Sequence, residues 1–227
     1  MDRWRNLGFI IVVATGSLAV ACAGPEETLV SRFFSATERG DSQSVGSLSM
    51  VAFPEDVTSW EILQIVDLPN DEYLVPLLRR RVEEAEDARD AQFNAFGNFR
   101  QENYEDLRRI QNQTQDDPEF PFSGRLGELQ EEWDRKRQER RDVVTRLHEA
   151  EIELEREIRQ VTKSLQRESS PEYLTGETVK KAAVVRVTTA TSEKTYRLTL
   201  SHYELKNQFD AVVPSRFIIT GLAEEQP

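Results

Sequence analysis

The chain opens on its one long apolar run. Leu7 to Ala21 make about 15 mostly apolar residues behind a short charged start of Asp2, Arg3 and Arg5, which is the length of a signal h-region. A spanning helix needs about 20. With the small residues Ala19, Val20 and Ala21 at its end, residues 1–21 read as a removed signal segment. Beyond it, "EETLVSRFFSATERGDSQSVGSLS" places Leu29, Val30, Phe33 and Phe34 on one helical face. It breaks at Gly40-Asp41 and restarts as a short helix capped by Asp41 or Ser42. "SWEILQIVDL" then reads as a strand ending at Pro69.

Residues 71–170 change character, being charged in both signs and nearly free of Gly and Pro except around 118–124. The second half of this block follows alternating steps of four and three through Leu126, Gln130, Trp133, Arg137, Arg140, Val144, Leu147, Glu151, Leu154, Ile158, Val161 and Leu165. The seam is apolar at both ends and polar in the middle. Acid-first pairs four apart, such as Glu131 with Arg135 and Glu155 with Arg159, support the helix by a few tenths of a kcal/mol each. The first half, from about Leu77 to Gln113, carries Leu78, Val82, Ala85, Phe96, Phe99, Leu107 and Ile110 on a similar track.

Between these arms lies "DDPEFPFSG", where Pro118 and Pro121 forbid a continuous helix and Gly124 relaxes the turn. The chain must reverse here. Folding it about this point pairs Leu78 with Val161, Val82 with Ile158, Phe96 with Val144, Leu107 with Trp133 and Ile110 with Leu129. Arms of roughly 40 residues at 1.5 Å per residue predict a helical hairpin on the order of 60 Å long.

After the hairpin, "KAAVVRVTTA", "EKTYRLTLSHYEL" and "SRFIITGL" read as three strands, with Tyr196, Leu198 and Leu200 alternating against Arg197, Thr199 and Ser201. Helices first and an antiparallel sheet afterwards predict an α+β fold: a small helix-on-sheet domain with an inserted antiparallel coiled-coil hairpin. The expected organisation is signal peptide 1–21, first part of the α+β domain 22–70, hairpin 71–170, and second part of the domain 171–227.

Composition narrows the chemistry. A net charge of -12 argues against nucleic acid, whose backbone demands Lys and Arg. One Cys and two His exclude a zinc cluster and a disulfide framework, so no cofactor and no metal are expected. Asp116, Asp117 and Glu119 lack the repeated oxygen ligands and the glycine of a calcium loop.

Leu18-Ala19-Val20-Ala21-Cys22 resembles the lipobox of bacterial lipoproteins, in which the cysteine is alkylated with a diacylglycerol and becomes the new N-terminus. It departs from that pattern in having its Leu one place early. The resemblance implies that Cys22 is the lipidation site and that the protein sits in the cell envelope, held to a membrane by an N-terminal lipid. Ala23 at the position after Cys22, rather than Asp, favours the outer membrane facing the periplasm in a diderm organism. An ordinary secretory signal cut after Ala21 or Ala23 is the alternative. A lone thiol in an exported chain is otherwise an oxidation liability, which favours the lipid.

"VSRFFSATERGDSQSVGSLS", with the closing pair "TYRLTLSHYEL" and "SRFIITGL", resembles the nuclear-transport-factor-2-like, or cystatin-like, cone fold. A hairpin of some 100 residues intervenes where that family has short connections. Two functions stay open. The first is a non-enzymatic, lipid-anchored envelope protein whose cone is a platform and whose hairpin reaches a protein partner, as scaffold or assembly factor. Phe120 and Phe122, flanking Pro121 at the tip, are its candidate contacts, or else they fold back over Ile110 and Leu126 and seal the hairpin end. The second is small-molecule binding or isomerase-like chemistry in a cone pocket, with His202 and Tyr203 near Asp56 or Glu61. Phe93, Phe96, Phe99 and Tyr104 are expected mostly in the hairpin core.

Overall fold

A computed structural model describes residues 24–166 and 169–225. Helix α1 (Pro25–Glu38) forms where the four-residue apolar spacing predicts it, with Pro25 in its first turn and Glu26 and Glu27 at its positive end. It stops at Gly40, whose φ of 67° admits no side chain cheaply. Asp41 then caps α2 (Ser42–Leu48), its carboxylate accepting from the Ser44 amide at 3.0 Å. Strand β1 (Val57–Asp67) and the short β2 (Asp71–Glu72) lead into three helices, α3 (Val75–Glu102), α4 (Tyr104–Asp116) and α5 (Gly124–Ser164). The chain closes with β3 (Thr175–Thr189), β4 (Glu193–Lys206), β5 (Val212–Val213) and β6 (Ile218–Glu224). The result is an α+β fold around one open antiparallel sheet, in which β3 pairs with β1, β2 and β4, and β4 pairs with β5 and β6.

The sheet carries a core on each face. On one face, Leu29, Val30, Phe33 and Phe34 of α1 pack against Ala183, Val185 and Val187 of β3 and Tyr196, Leu198 and Leu200 of β4. The β3–β4 register runs without a shift from Thr175 opposite Lys206 to Thr188 opposite Glu193. Side chains therefore alternate faces along all of β4, and Tyr203 and Leu205 point away from α1. They meet Tyr73, Val75, Leu174 and Val213, together with Leu154, Ile158 and Val161 of α5. The second core thus draws on both segments 71–170 and 171–227.

Helices α3 and α5 lie against one another, but not in the expected pairing. Phe96 stacks on Trp133 at 4.9 Å instead of meeting Val144. Arg81 pairs with Glu153 at 2.7 Å, and Gln92 donates to Glu139 at 2.9 Å. Val144 is 45% exposed while Val143 is 7% exposed, and Leu129 and Ala150 are buried where Gln130 and Glu151 were expected. One half of the heptad, through Leu126, Trp133, Leu147, Leu154 and Val161, faces inward. The other half shifts one residue earlier through the middle of α5, because steps of three then four also keep one stripe facing inward and here collect Leu129, Val143 and Ala150, while Ile158 and Leu165 pack as the spacing suggested.

The first arm is also not continuous. At Asn103 the side-chain amide and the backbone amide both donate to the Phe99 carbonyl, at 3.0 and 3.2 Å, and α3 gives way to α4. Phe99 from α3 and Leu107 and Ile110 from α4 then converge on Leu129 and Trp133, closing a third apolar cluster.

Candidate functional site

Cys22 lies outside the described residues. The remaining candidates fall at the helical tip and at the end of the sheet. Phe122 joins the tip cluster with Leu126, while Phe120 leans on Phe122 at 5.0 Å between ring centres and stays 40% exposed. The two rings divide the two expected roles: one packs against the cluster, the other remains accessible. Asp116, Asp117 and Glu119 are exposed, and Asp117 spends its carboxylate on the Glu119 amide at 3.1 Å. No group of three or more metal-ligating side chains occurs among the described residues. Of the aromatic set, Phe96 and Phe99 are buried against Trp133, whereas Phe93 and Tyr104 are exposed. The Arg140 guanidinium sits over the Phe96 ring at 4.6 Å and the Phe93 ring at 5.5 Å, which lets a charged residue occupy the seam.

His202, Tyr203, Asp56 and Glu61 do not come together. His202 and Tyr203 are neighbours on one strand and so project to opposite faces. His202 pairs with Val179, while Glu61 faces Arg186 across β1 and β3, with an ion pair at 2.7 Å. Seven residues of extended chain separate those positions, roughly 23 Å. Asp56 lies farther still, beside Val57, whose partner is Thr189. It lines a hollow of about 440 Å³ with Ser49, Phe53 and Glu55. The acid that reaches a phenol there is Glu55, which accepts from Tyr196 at 3.2 Å and pairs with Lys194 at 3.2 Å. Tyr196 is held above the ordinary tyrosine range by burial and by that carboxylate.

His202 lies against the Phe217 ring at 5.0 Å, and burial holds its imidazole below the usual histidine range. It faces a groove of about 640 Å³ that also touches Glu177, Glu204, Leu205 and Val213. Tyr203 turns instead into the second core, where its hydroxyl donates to Glu157 at 3.1 Å. Burial raises the pKa of both groups, the more so for the phenol because the carboxylate lies beside it. The Tyr73 ring meets Tyr203 edge-on at 6.3 Å, and the Tyr73 hydroxyl donates to the Pro171 carbonyl at 2.7 Å. This pair of a half-buried acid and a buried phenol was not singled out from the sequence, because Glu157 looks like one more solvated charge on a charged helix.

Also missed were Phe209, Val212 and Tyr173, at 78%, 74% and 69% the most exposed large apolar side chains among the described residues. Their signal was a Phe set inside the turn "KNQFDA", where polar residues are the rule. Comparison with protein-family models, with curated proteins and with solved structures finds no match to this chain.

Proposed function

We propose that this chain is a non-enzymatic, lipid-anchored cell-envelope protein. In this reading an α+β platform of the nuclear-transport-factor-2-like kind carries an inserted coiled-coil hairpin made by α3, α4 and α5. The hairpin acts as a scaffold or assembly arm. The supporting observation is the filled interior between α1 and the sheet, where Phe33, Phe34, Leu198 and Leu200 are completely buried in the place a cone pocket would occupy. A surface that must hold its shape needs such a core, and a pocket for small molecules needs space. Cys22 supplies the attachment to the membrane, and Phe120 at the far end of the helices is the group offered to a protein partner. Capture from a detergent-solubilised envelope tests this. The full chain with Phe120→Ser is expected to lose the partner at unchanged melting temperature, and Phe122→Ser to lower the melting temperature. Undiminished capture by both variants would refute the tip assignment.

A second reading, small-molecule binding, is favoured by the groove beside His202, with Glu177 and Glu204 on its wall. A ligand-induced rise in melting temperature that His202→Gln removes would put it first.

A further inference from the structure

The three most exposed apolar side chains of the described protein stand at one end of the sheet. Thr175, the first residue of β3, is opposite Lys206, the last of β4, and Lys206 is opposite Val212 of β5. Neighbouring strands are about 4.8 Å apart, so Val212 and the start of β3 lie within roughly 10 Å. Tyr173 precedes Thr175 by two residues, and Phe209 sits in the turn joining β4 to β5.

That turn is built to hold its shape. The Asn207 side chain accepts from the amides of Phe209 and Ala211, at 2.9 and 3.1 Å, and the Asn207 amide donates to the Ala211 carbonyl at 3.0 Å. Asp210 takes a φ of 58°, a conformation Asp tolerates better than most residues. Phe209 is thus presented to solvent by an ordered turn.

The start of α1 is directed to this same end. Glu26 in its first turn pairs with Lys181 at 2.5 Å, while Phe34 near its other end stacks on Trp60, whose strand partner is Val187. The helix therefore runs along β3 from 181 toward 187, with its N-terminus aimed at Thr175. Lys181 and Thr175 are separated by about 20 Å of strand. Two residues from Gly24 back to Cys22 span at most about 7 Å. The remaining roughly 13 Å is taken up by inclining β3 to the bilayer plane, which leaves the acyl chains wholly within the core.

We infer that Phe209, Val212 and Tyr173 form a second membrane contact, borne by the protein itself, which enters the interfacial layer of the bilayer that holds Cys22. The inference rests on the lipid-anchor reading above. It commits to a bilayer and not to a protein because three side chains fall far short of the roughly 800 Å² per partner that a stable protein interface buries. A ring with a polar tip beside two apolar groups is also what membrane interfaces select. With a net charge of -12 the chain has no general attraction to anionic lipid, so the contact is apolar in kind. Its consequence is a fixed orientation: a lipid alone is a swivel, whereas a lipid and a rigid turn set which side of the sheet faces the membrane.

The test uses the full lipoprotein in phosphatidylethanolamine and phosphatidylglycerol vesicles whose acyl chains carry bromine as a quencher. Flotation first establishes anchoring for the unsubstituted chain. Phe209→Trp is then expected to add a blue-shifted emission, quenched by the bromolipid beyond the response of the unsubstituted chain. Emission at the solvent-exposed wavelength, unquenched in a chain that floats, overturns the contact and leaves the anchor standing. A chain that does not float fails the anchor reading instead. Unquenched emission together with a protein partner lost in Phe209→Ser assigns the patch to protein recognition and likewise overturns the membrane contact.

Discussion

Glu157 shows how a single side chain on a charged helix acquires a different role from its neighbours. Its carboxylate is turned inward to the Tyr203 hydroxyl, and burial pushes its pKa above the ordinary value of 4.5 against the opposing pull of Tyr203, Lys180 and Arg156. A carboxyl with a raised folded-state pKa holds its proton more tightly when the chain is folded. It therefore favours folding below pH 4.5, and that contribution is lost as the pH rises through the folded value. Glu157→Gln keeps an oxygen for Tyr203 and removes the half-buried charge. Urea unfolding of this variant is expected to show a gain in stability at pH 7 that disappears as the pH falls below 4.5. An equal gain at both pH values would mean that desolvation of the charge is not what Glu157 contributes.

At the scale of elements, the helices and the sheet interlock at their base. The seam of α5 includes Val143 and leaves Val144 in water, so Val143→Ala is expected to cost about 1.5 kcal/mol in lost burial. Val144→Ala is expected to stay within about 0.5 kcal/mol; chemical denaturation distinguishes them, and the reverse order would restore the other heptad. The base is a larger matter. Tyr73, Val75, Leu154, Ile158 and Val161 cover Tyr203 and Leu205 on the face of the sheet opposite α1. At roughly 1.5 to 3 kcal/mol for each side chain, their removal rivals the 5 to 15 kcal/mol that holds a typical domain together. Replacing all of residues 71–170 with a Gly/Ser linker is thus expected to give an aggregating chain. Joining Arg81 to Glu153 by the same linker, which keeps the base, is expected to give a cooperative melt, since closing a short loop there costs little entropy. Calorimetry of the two deletions decides whether the arm is separable, and where.

For the whole molecule, a lipid on Cys22 would determine where everything else can act. If Cys22 carries lipid, intact mass of the purified protein will exceed that of the chain from Cys22 onward by at least a diacylglyceryl group. Cys22→Ser will then accumulate as unprocessed precursor. A soluble mature form beginning at Ala23 or Gly24 would remove both the anchor and the reason to orient the sheet. The acidic balance of the chain bears on the same scale, because a net charge of -12 sets up repulsion between copies and toward other acidic polymers.

What the sequence determined by itself is what local chemistry controls. The phrase around Gly40-Asp41 made two helices, the β-branched and apolar runs made β1, β3, β4 and β6, and the prolines at 118 and 121 stopped the helices between α4 and α5. Each depends on contacts within a few residues, on a cap, a period or a missing amide. Tertiary structure alone decided the rest. Alternation along β4 is the same whichever face is covered, so it could not reveal that Tyr196 and Leu200 turn to α1 while Tyr203 and Leu205 turn to α5. A charged helix offers two heptad phases, and the partner helix selected the one through Val143. His202, Asp56 and Glu61 were grouped by residue type, yet the strand register sets them at different positions along the sheet. Spacing along a chain describes one element, and only packing says which elements meet.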